Sequence, residues 1–550
     1  MHVYSRRMNP TALAIDSCII VVYFVGITLI GIYEGRRERS LLDYALGGRR
    51  IPWWAVMASI IAAEVSAATF IGAPAEGYSQ KGLAYVQLVL GLIIGRVLVG
   101  HIFLRPYYVY RVYTVYDFLA IRFGPLSKNY ISALFLFMRV LASGVRLYVP
   151  SLVMVLAWRL FWHREAVQFE VQDSWVPYAW AIGALTFITC IYTTLGGIKA
   201  VIWTDLIQAT LMFSSALVAI GTLFYHIGGI GPLLEHVPTM KTTAGYFRTG
   251  FENLPEGFLP WVVFKKILED PYTLFAAVIA TTFTNMAAFG TDQDMVQRML
   301  TAEDYKRSRR SLISAALMDV PIATAFTFIG VLLIAFYAQH PELKPEKIND
   351  IFGQYILSVM PPVVRGFVLA GVFATAMRSL SPAQNALATT ATNDWYLAYF
   401  GKGKGDAHQV AAARIFTALF AVLMVLIAVA FAYANVKNPR LTIIPIALGV
   451  AGYILGPMLG VFLLGMLTKR RGSDAGNVIA VTCGLLAIFL FSGLAMEAVN
   501  WLAGAPVLSW PAWLPRVAFT WYVMVGGLVT FVVGALFPTP AHVVESAERR

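Results

Sequence analysis

Charge is scarce in this sequence. Asp, Glu, Lys and Arg make up 13% of 550 residues, against 58% hydrophobic residues. A soluble surface takes about a quarter charged residues. The chain has too few water-facing groups to cover itself, so most of its surface must face lipid. That excludes a cytosolic enzyme, a secreted disulfide scaffold and a disordered protein. Cysteine is scarcer still: Cys18, Cys190 and Cys483 each lie in an apolar run, and three such thiols make no disulfide framework. The eight histidines are scattered, with no H-x3-H pair or Cys/His cluster, which argues against a metal enzyme. A G-x-S-x-G elbow and a P-loop are missing, and with them the main hydrolase and ATP-driven readings. The chain is not expected to be an enzyme or to need a cofactor.

Long apolar runs are what it has. A helical span needs about 20 mostly apolar residues. Thirteen such runs fall near 12–33, 51–77, 82–104, 129–158, 176–195, 200–226, 271–297, 311–338, 363–396, 409–434, 441–467, 475–498 and 515–537. They predict an all-α integral membrane protein of about thirteen transmembrane helices. The run at 12–33 is too long for a signal peptide's apolar region and lacks a small-residue cleavage site, so it reads as the first span.

The formal charge of +12 has a membrane explanation. Basic residues gather in short cytoplasmic loops. Arg36, Arg37, Arg39, Arg49 and Arg50 follow span one; Arg298, Lys306, Arg307, Arg309 and Arg310 follow span seven; Lys469, Arg470 and Arg471 follow span eleven. Alternating spans put all three loops on one side. The N-terminus is then outside and the C-terminus cytoplasmic, in the cell inner (plasma) membrane. No basic run is interleaved with aromatics at a groove-binding spacing, so nucleic acid is not an expected partner. The expected partners are lipid and a small-molecule solute. Trp501, Trp510 and Trp513 read as an interfacial belt.

Two spans are interrupted. Span two, ASIIAAEVSAATFIGAPAEGY, carries Glu64 at its middle and Gly72, Pro74 and Gly77 after it. Span seven, TTFTNMAAFGTDQDMVQRML, is broken by Gly290 and the polar group Thr291, Asp292, Gln293. Gly- or Pro-interrupted spans mark discontinuous helices whose freed backbone groups bind ions and solutes near the midplane. Such backbone survives at membrane depth only where it lines a cavity. Two of them, five spans apart, suggest the halves of an inverted repeat. The blander alternative is an ordinary kink in each helix.

After span five comes IYTTLGGIKAVIWTDLIQ, residues 191–208. Its Gly196-Gly197, Lys199-Ala200 and Trp203-Thr204-Asp205, with Gln208 following, resemble the signature of the sodium:solute symporter family. Gln297, Arg298, Tyr305, Lys306 and Arg309 after span seven, and Phe70-Ile71-Gly72 in span two, extend the resemblance over roughly residues 10 to 470. The resemblance implies a LeuT-type 5+5 inverted-repeat fold: one transporter domain over 1–550, a peripheral helix at 12–33, repeats at 51–226 and 271–467, and peripheral helices at 475–537. Physical reasons run beside it. The glycine pair allows a tight turn between spans five and six. Asp205 lies in a helix that should be dry, and a carboxylate there is a functional candidate by default, with structural pairing as the alternative.

In that family, carbonyls at the break of the first core helix and hydroxyls on the eighth hold a sodium ion. By position the carbonyls are Ala62 and Val65, and the hydroxyl positions are Thr375, Arg378 and Ser379. Hard cations want oxygen ligands. Thr375 and Ser379, four residues apart, share a face. Arg378 departs from the pattern, since a guanidinium has donors only and cannot ligate sodium. Two readings stand. Arg378 replaces the cation, paired with Asp205 or Glu64, and transport is sodium-independent or coupled to protons with Glu64 and Asp205 as candidates. Otherwise Arg378 points away, and Na+ stays as the coupling ion at Ala62, Val65, Thr375 and Ser379.

Candidate solute contacts are Glu64, Thr69, Gln87, Arg146 and Asn285. Asn285 matches a sugar-contacting asparagine of galactose transporters in the family, but Gly449 and Ala288 stand where other sugar contacts belong, which argues against a glucose-like solute. Arg139 and Arg146 lie seven residues apart on one face of span four. Arginine in a membrane is costly unless paired, and a carboxylate pairs with it bidentately. Sialic-acid members of the family use an arginine on this helix, and Arg146 holds the matching position. Pairing of both with Asp319, Asp16 or carbonyls is the structural alternative. The resulting expectation is a secondary transporter importing a small organic solute, with a lean to carboxylates. The rival is a solute sensor of the same fold without net transport.

Overall fold

A computed structural model describes residues 10–35, 40–65, 67–163, 174–251, 260–345, 348–437, 443–503, 507–511 and 514–540. Among them no strand occurs, only two isolated bridges, Ile51 with Ala302 and Arg471 with Pro538. Hydrogen bonding inside each helix satisfies the backbone without water, as lipid demands.

The main helices are α1 (Pro10–Gly35), α2 (Trp53–Glu64), α3 (Ala67–Gln80), α4 (Leu88–Ile102), α5 (Pro125–His163), α6 (Val176–Ile227), α7 (Thr281–Thr291), α8 (Gln293–Met299), α9 (Tyr305–Gln339), α10 (Val364–Thr390), α11 (Asp406–Lys437), α12 (Ile443–Leu467), α13 (Asp474–Phe491) and α14 (Tyr522–Ala535). Seven helices are long and apolar enough to cross a membrane by length and composition, and three shorter apolar ones accompany them. The count of thirteen spans is not fixed by these lengths. Exposed Leu29, Phe187, Leu217, Leu426 and Val532 face outward, where a soluble protein would carry charge.

Both expected breaks are present. Helix α2 ends at Glu64, and Val65 leaves helical geometry at φ −82° and ψ 89° before α3 begins. Helix α7 ends where Asp292 turns extended (φ −83°, ψ 117°), and Asp292 then caps α8 by accepting from the Asp294 amide. Spans five and six are one long element, α6, bent at Gly197 with φ 49° and ψ −149°, a conformation closed to residues with a Cβ.

Helix α10 packs most extensively on α6, with α1 against both. Helices α12, α13 and α14 pack on one another, and α12 also packs on α5 and α7. Glycine sets the closest approach: a Cβ on Gly77 of α3 would collide with the Thr327 carbonyl of α9, and one on Gly330 of α9 with the Pro74 carbonyl of α3. Phe70 sits just past the first break, between Phe326 and Phe352 at ring-centroid distances of 5.0 and 5.6 Å.

Candidate functional site

The site grows from the break in α2. Arg378, on α10, is 1% exposed and points its guanidinium at that break. Its Nη2 donates to the Val65 carbonyl and approaches Met212 Sδ at 3.3 Å. Val65 is one of the two carbonyl positions that the sequence reading assigned to sodium. The expected ion-pair partners are taken by other groups. Asp205 Oδ2 accepts from Arg298 Nη1 and from Ser59 Oγ at 2.7 Å. Glu64 Oε1 pairs with Arg96. So Arg378 neither pairs directly with Asp205 or Glu64 nor points away; it is held by a backbone carbonyl.

The other cation-site positions are placed as follows. Ala62 is buried one turn before the break. The Thr375 hydroxyl is buried and donates to the Val372 carbonyl at 2.6 Å, within its own helix. The side chain of Ser379 lies outside the described residues. Asp205 is fully buried in a second pairing: Arg298 also donates to the Ser59 carbonyl at 2.9 Å, so α2, α6 and α8 meet at one ion pair.

From there the buried charges continue. Arg298 Nη2 lies 3.7 Å from Asp294. Arg139 of α5 pairs with Asp294 and, at 3.1 Å, with Asp292 at the second break. The structural alternative for Arg139 therefore holds, with different partners from those expected. Asp319 pairs instead with Arg96 at 2.8 Å, and Asp16 with Arg365 at 2.7 Å. Arg146 differs from its neighbour. It is partly exposed, lies within electrostatic reach of Arg139 and Asp292, and has no hydrogen bond or ion pair among the described residues.

The remaining solute candidates divide. Asn285 is buried on α7 beside Gly95 of α4, and its Nδ2 donates to the Thr281 carbonyl at 3.0 Å, while its oxygen has no partner among the described residues. Thr69 is partly buried just past the first break. Gln87 is committed elsewhere: Nε2 donates to the carbonyls of Tyr272 at 2.5 Å and Arg248 at 3.3 Å, and Oε1 accepts from the Arg248 amide at 3.0 Å. Its amide sews a loop down and has little left for a solute. Glu64 keeps one oxygen, Oε2, without a partner among the described residues.

Sequence reasoning missed Arg96, which is fully buried, bridges Glu64 and Asp319, and lies 4.3 Å from the Phe289 ring centroid. Its signal was available, an arginine inside the apolar run LGLIIGRVLVG. The Arg298–Asp205 pair was not legible, because 93 residues separate its members.

Two broken helices, their freed backbone turned toward buried polar groups, and a lipid-facing outer surface define a multi-pass membrane transporter of the LeuT type rather than an enzyme. Residues 44–484 match the sodium:solute symporter family, and the chain belongs to that family. It is 26% identical to a sodium/sialic acid symporter of Proteus mirabilis (strain HI4320) over 484 residues, 86% of this chain and 88% of that one. It is also 26% identical to a sodium/sialic acid symporter of Aliivibrio fischeri (strain ATCC 700601 / ES114), over 94% of this chain and 91% of the relative. The sodium-coupled monocarboxylate transporter 1 of Mus musculus is 26% identical over 86% of this chain and 72% of its own. Among solved structures, a substrate-bound, outward-open Na+-coupled sialic acid symporter superposes with a TM-score of 0.76 at 22% identity, covering 95% of this chain and 97% of that one. A nucleobase-cation-symport-1 family transporter in a closed conformation gives 0.50 at 14% identity, over 94% and 99% of the two chains.

Proposed function

We propose that this protein imports a small organic carboxylate by alternating access, and that Arg378 serves as a tethered cation where relatives bind sodium. One observation carries the reading: the Arg378 guanidinium donates to the Val65 carbonyl. A carbonyl satisfied by a permanent donor has little need of a mobile ion, and a sodium ion beside a guanidinium would meet repulsion in a low-dielectric site. The chemistry of the donor set does not suit sodium there.

The carboxylate rests on charge. Among the described residues, Arg139, Arg146, Arg298 and Arg378 are balanced by Asp205, Asp292 and Asp294. Arg146 is the member without a partner among the described residues. A solute carboxylate would offset it, bidentately, at a position where sialic-acid relatives use an arginine. That several relatives are sialic-acid or monocarboxylate symporters agrees with this class. In this reading repeats 51–226 and 271–467 rock around the site, with 12–33 and 475–537 peripheral. The chain sits in the inner membrane with its N-terminus outside.

The test is the melting temperature of purified protein in sodium against choline at matched ionic strength. A ligand that binds only the folded state raises stability by mass action. Wild type should show no sodium shift, and Arg378→Ser should gain one. A sodium shift in wild type would restore ordinary sodium symport as the reading.

A further inference from the structure

The buried charges fall into two groups of opposite sign. Arg139, Arg146, Arg298 and Arg378 share the carboxylates of Asp205, Asp292 and Asp294, so among the described residues that group keeps one positive charge in excess. The other group is Arg96 with Glu64 and Asp319, one guanidinium between two carboxylates, and it keeps one negative charge in excess. Both carboxylates approach the same nitrogen, Nη2, with Asp319 Oδ2 at 2.8 Å. They therefore crowd each other as well as the arginine. Two like charges so close, away from bulk water, favour a further positive charge beside them.

The negative group adjoins the solute site. Glu64 is the last residue of α2 before the first break. The Arg96 guanidinium lies 4.3 Å from the Phe289 ring centroid, and Phe289 is one turn before Asp292 at the second break. Asn285, a candidate solute contact, packs on Gly95, the chain neighbour of Arg96. The last turn of α7 thus separates the two groups: Phe289 touches Arg96, and Asp292 faces Arg139 and Arg146. Three residues of helix rise about 4.5 Å, a distance that one small molecule spans. The Arg96 side chain is sealed, while those of Glu64 and Asp319 keep 15% and 8% exposure, so the acids rather than the base border open space.

A triad with a structural role alone would not need its second carboxylate. Either acid neutralises Arg96, and a further buried carboxylate without its own cation is costly. The excess acid has a use if a cation arrives with the solute. The excess arginine of the other group has the matching use for a solute's anion.

We infer that the solute is a zwitterion, an amino or quaternary-ammonium carboxylate, whose carboxylate meets Arg146 and whose cation meets Glu64 and Asp319. The inference rests on the carboxylate reading and sharpens it. Arg96 does not touch the solute; it is a positioning residue that holds the two acids together. A plain carboxylate satisfies one group only and binds more weakly. A hydroxylated carboxylate falls between, because hydroxyls donate to the acids without supplying charge.

The experiment follows the melting temperature of the purified protein at neutral pH against rising concentrations of matched compounds. The carboxylates are butyrate and phenylpropionate, their amino counterparts γ-aminobutyrate and phenylalanine, and the corresponding amines propylamine and phenethylamine. The concentration that gives a set shift reports affinity by mass action. The amino carboxylates should bind about tenfold more tightly than the carboxylates, the effect of one charge-assisted hydrogen bond. Asp319→Asn leaves Arg96 balanced by Glu64 alone, so it should erase that gap while the carboxylates bind as before. If Asp319→Asn does not fold, Glu64→Gln decides by the same criterion. Carboxylates that bind equally well with and without the ammonium group overturn the zwitterion and leave the carboxylate reading standing. Amines that bind as tightly as the amino carboxylates overturn the carboxylate reading and the zwitterion with it. A series in which nothing binds overturns both.

Discussion

At the scale of single residues, each buried arginine in this protein is identified by its partner. Arg298 shares Asp205 with Ser59 in a fully buried site. Removing one member of such a pair leaves an uncompensated charge, which costs about 3–5 kcal/mol. Arg298→Ala should therefore lower the melting temperature sharply, and Arg298→Ala with Asp205→Ala should recover part of the loss. A double variant no more stable than the single one would show that the pair is not the source. Arg146 predicts the opposite pattern. It has no partner among the described residues, so Arg146→Ala should leave the melting temperature nearly unchanged. Vesicle uptake of acidic solutes should fall while that of neutral ones holds, and equal loss of both would count against a carboxylate contact.

At the scale of elements, the breaks and bends decide what the side chains can reach. Helix α6 bends at Gly197, whose φ of 49° and ψ of −149° suit only glycine. Gly197→Ala should destabilise by more than about 1 kcal/mol, the usual cost where a Cβ cannot adopt the backbone conformation. It should also disturb Asp205, two turns further along. Gly330 makes a different prediction. Its backbone is ordinary helix, and the obstacle is the Pro74 carbonyl of α3. Gly330→Val should push α3 from α9, and cysteine crosslinking between the two helices should become slower than in the glycine parent. Unchanged crosslinking would mean that the close approach is not held in solution.

At the scale of the whole molecule, transport separates this protein from a sensor of the same fold. On the proposed carboxylate reading, reconstituted vesicles loaded with unlabelled sialic acid, the solute of two relatives, should show counterflow of the labelled compound, and the flux should not depend on sodium. Counterflow that needs sodium would return the protein to ordinary symport. Its absence for sialic acid and short monocarboxylates alike would favour the sensor.

The membrane location, the all-helical architecture, the two breaks and the family were legible in the sequence. Each follows from local composition or contiguous motif: apolar runs long enough to span lipid, Gly and Asp interrupting them, and the stretch from Gly196 to Gln208. The proposal that Arg378 stands at a cation-site position also came from the sequence, because it needed only a position. What met what was not. Which of Arg139 and Arg146 would find a carboxylate among the described residues could not be read from two equivalent places on one helix face; it depended on Asp292 and Asp294 folding under Arg139 from the second break. Gln87 reads as a solute contact until a loop 161 residues away takes up its amide. The pairing of Asp205 with Arg298, rather than with Arg378, was a choice between two cations, and packing of α8 against α2 made it. Sequence sets which groups must find a partner inside a membrane, because burial makes an unpaired charge costly. Only the tertiary structure distributes the partners, because few acids serve many arginines and proximity decides which are left over.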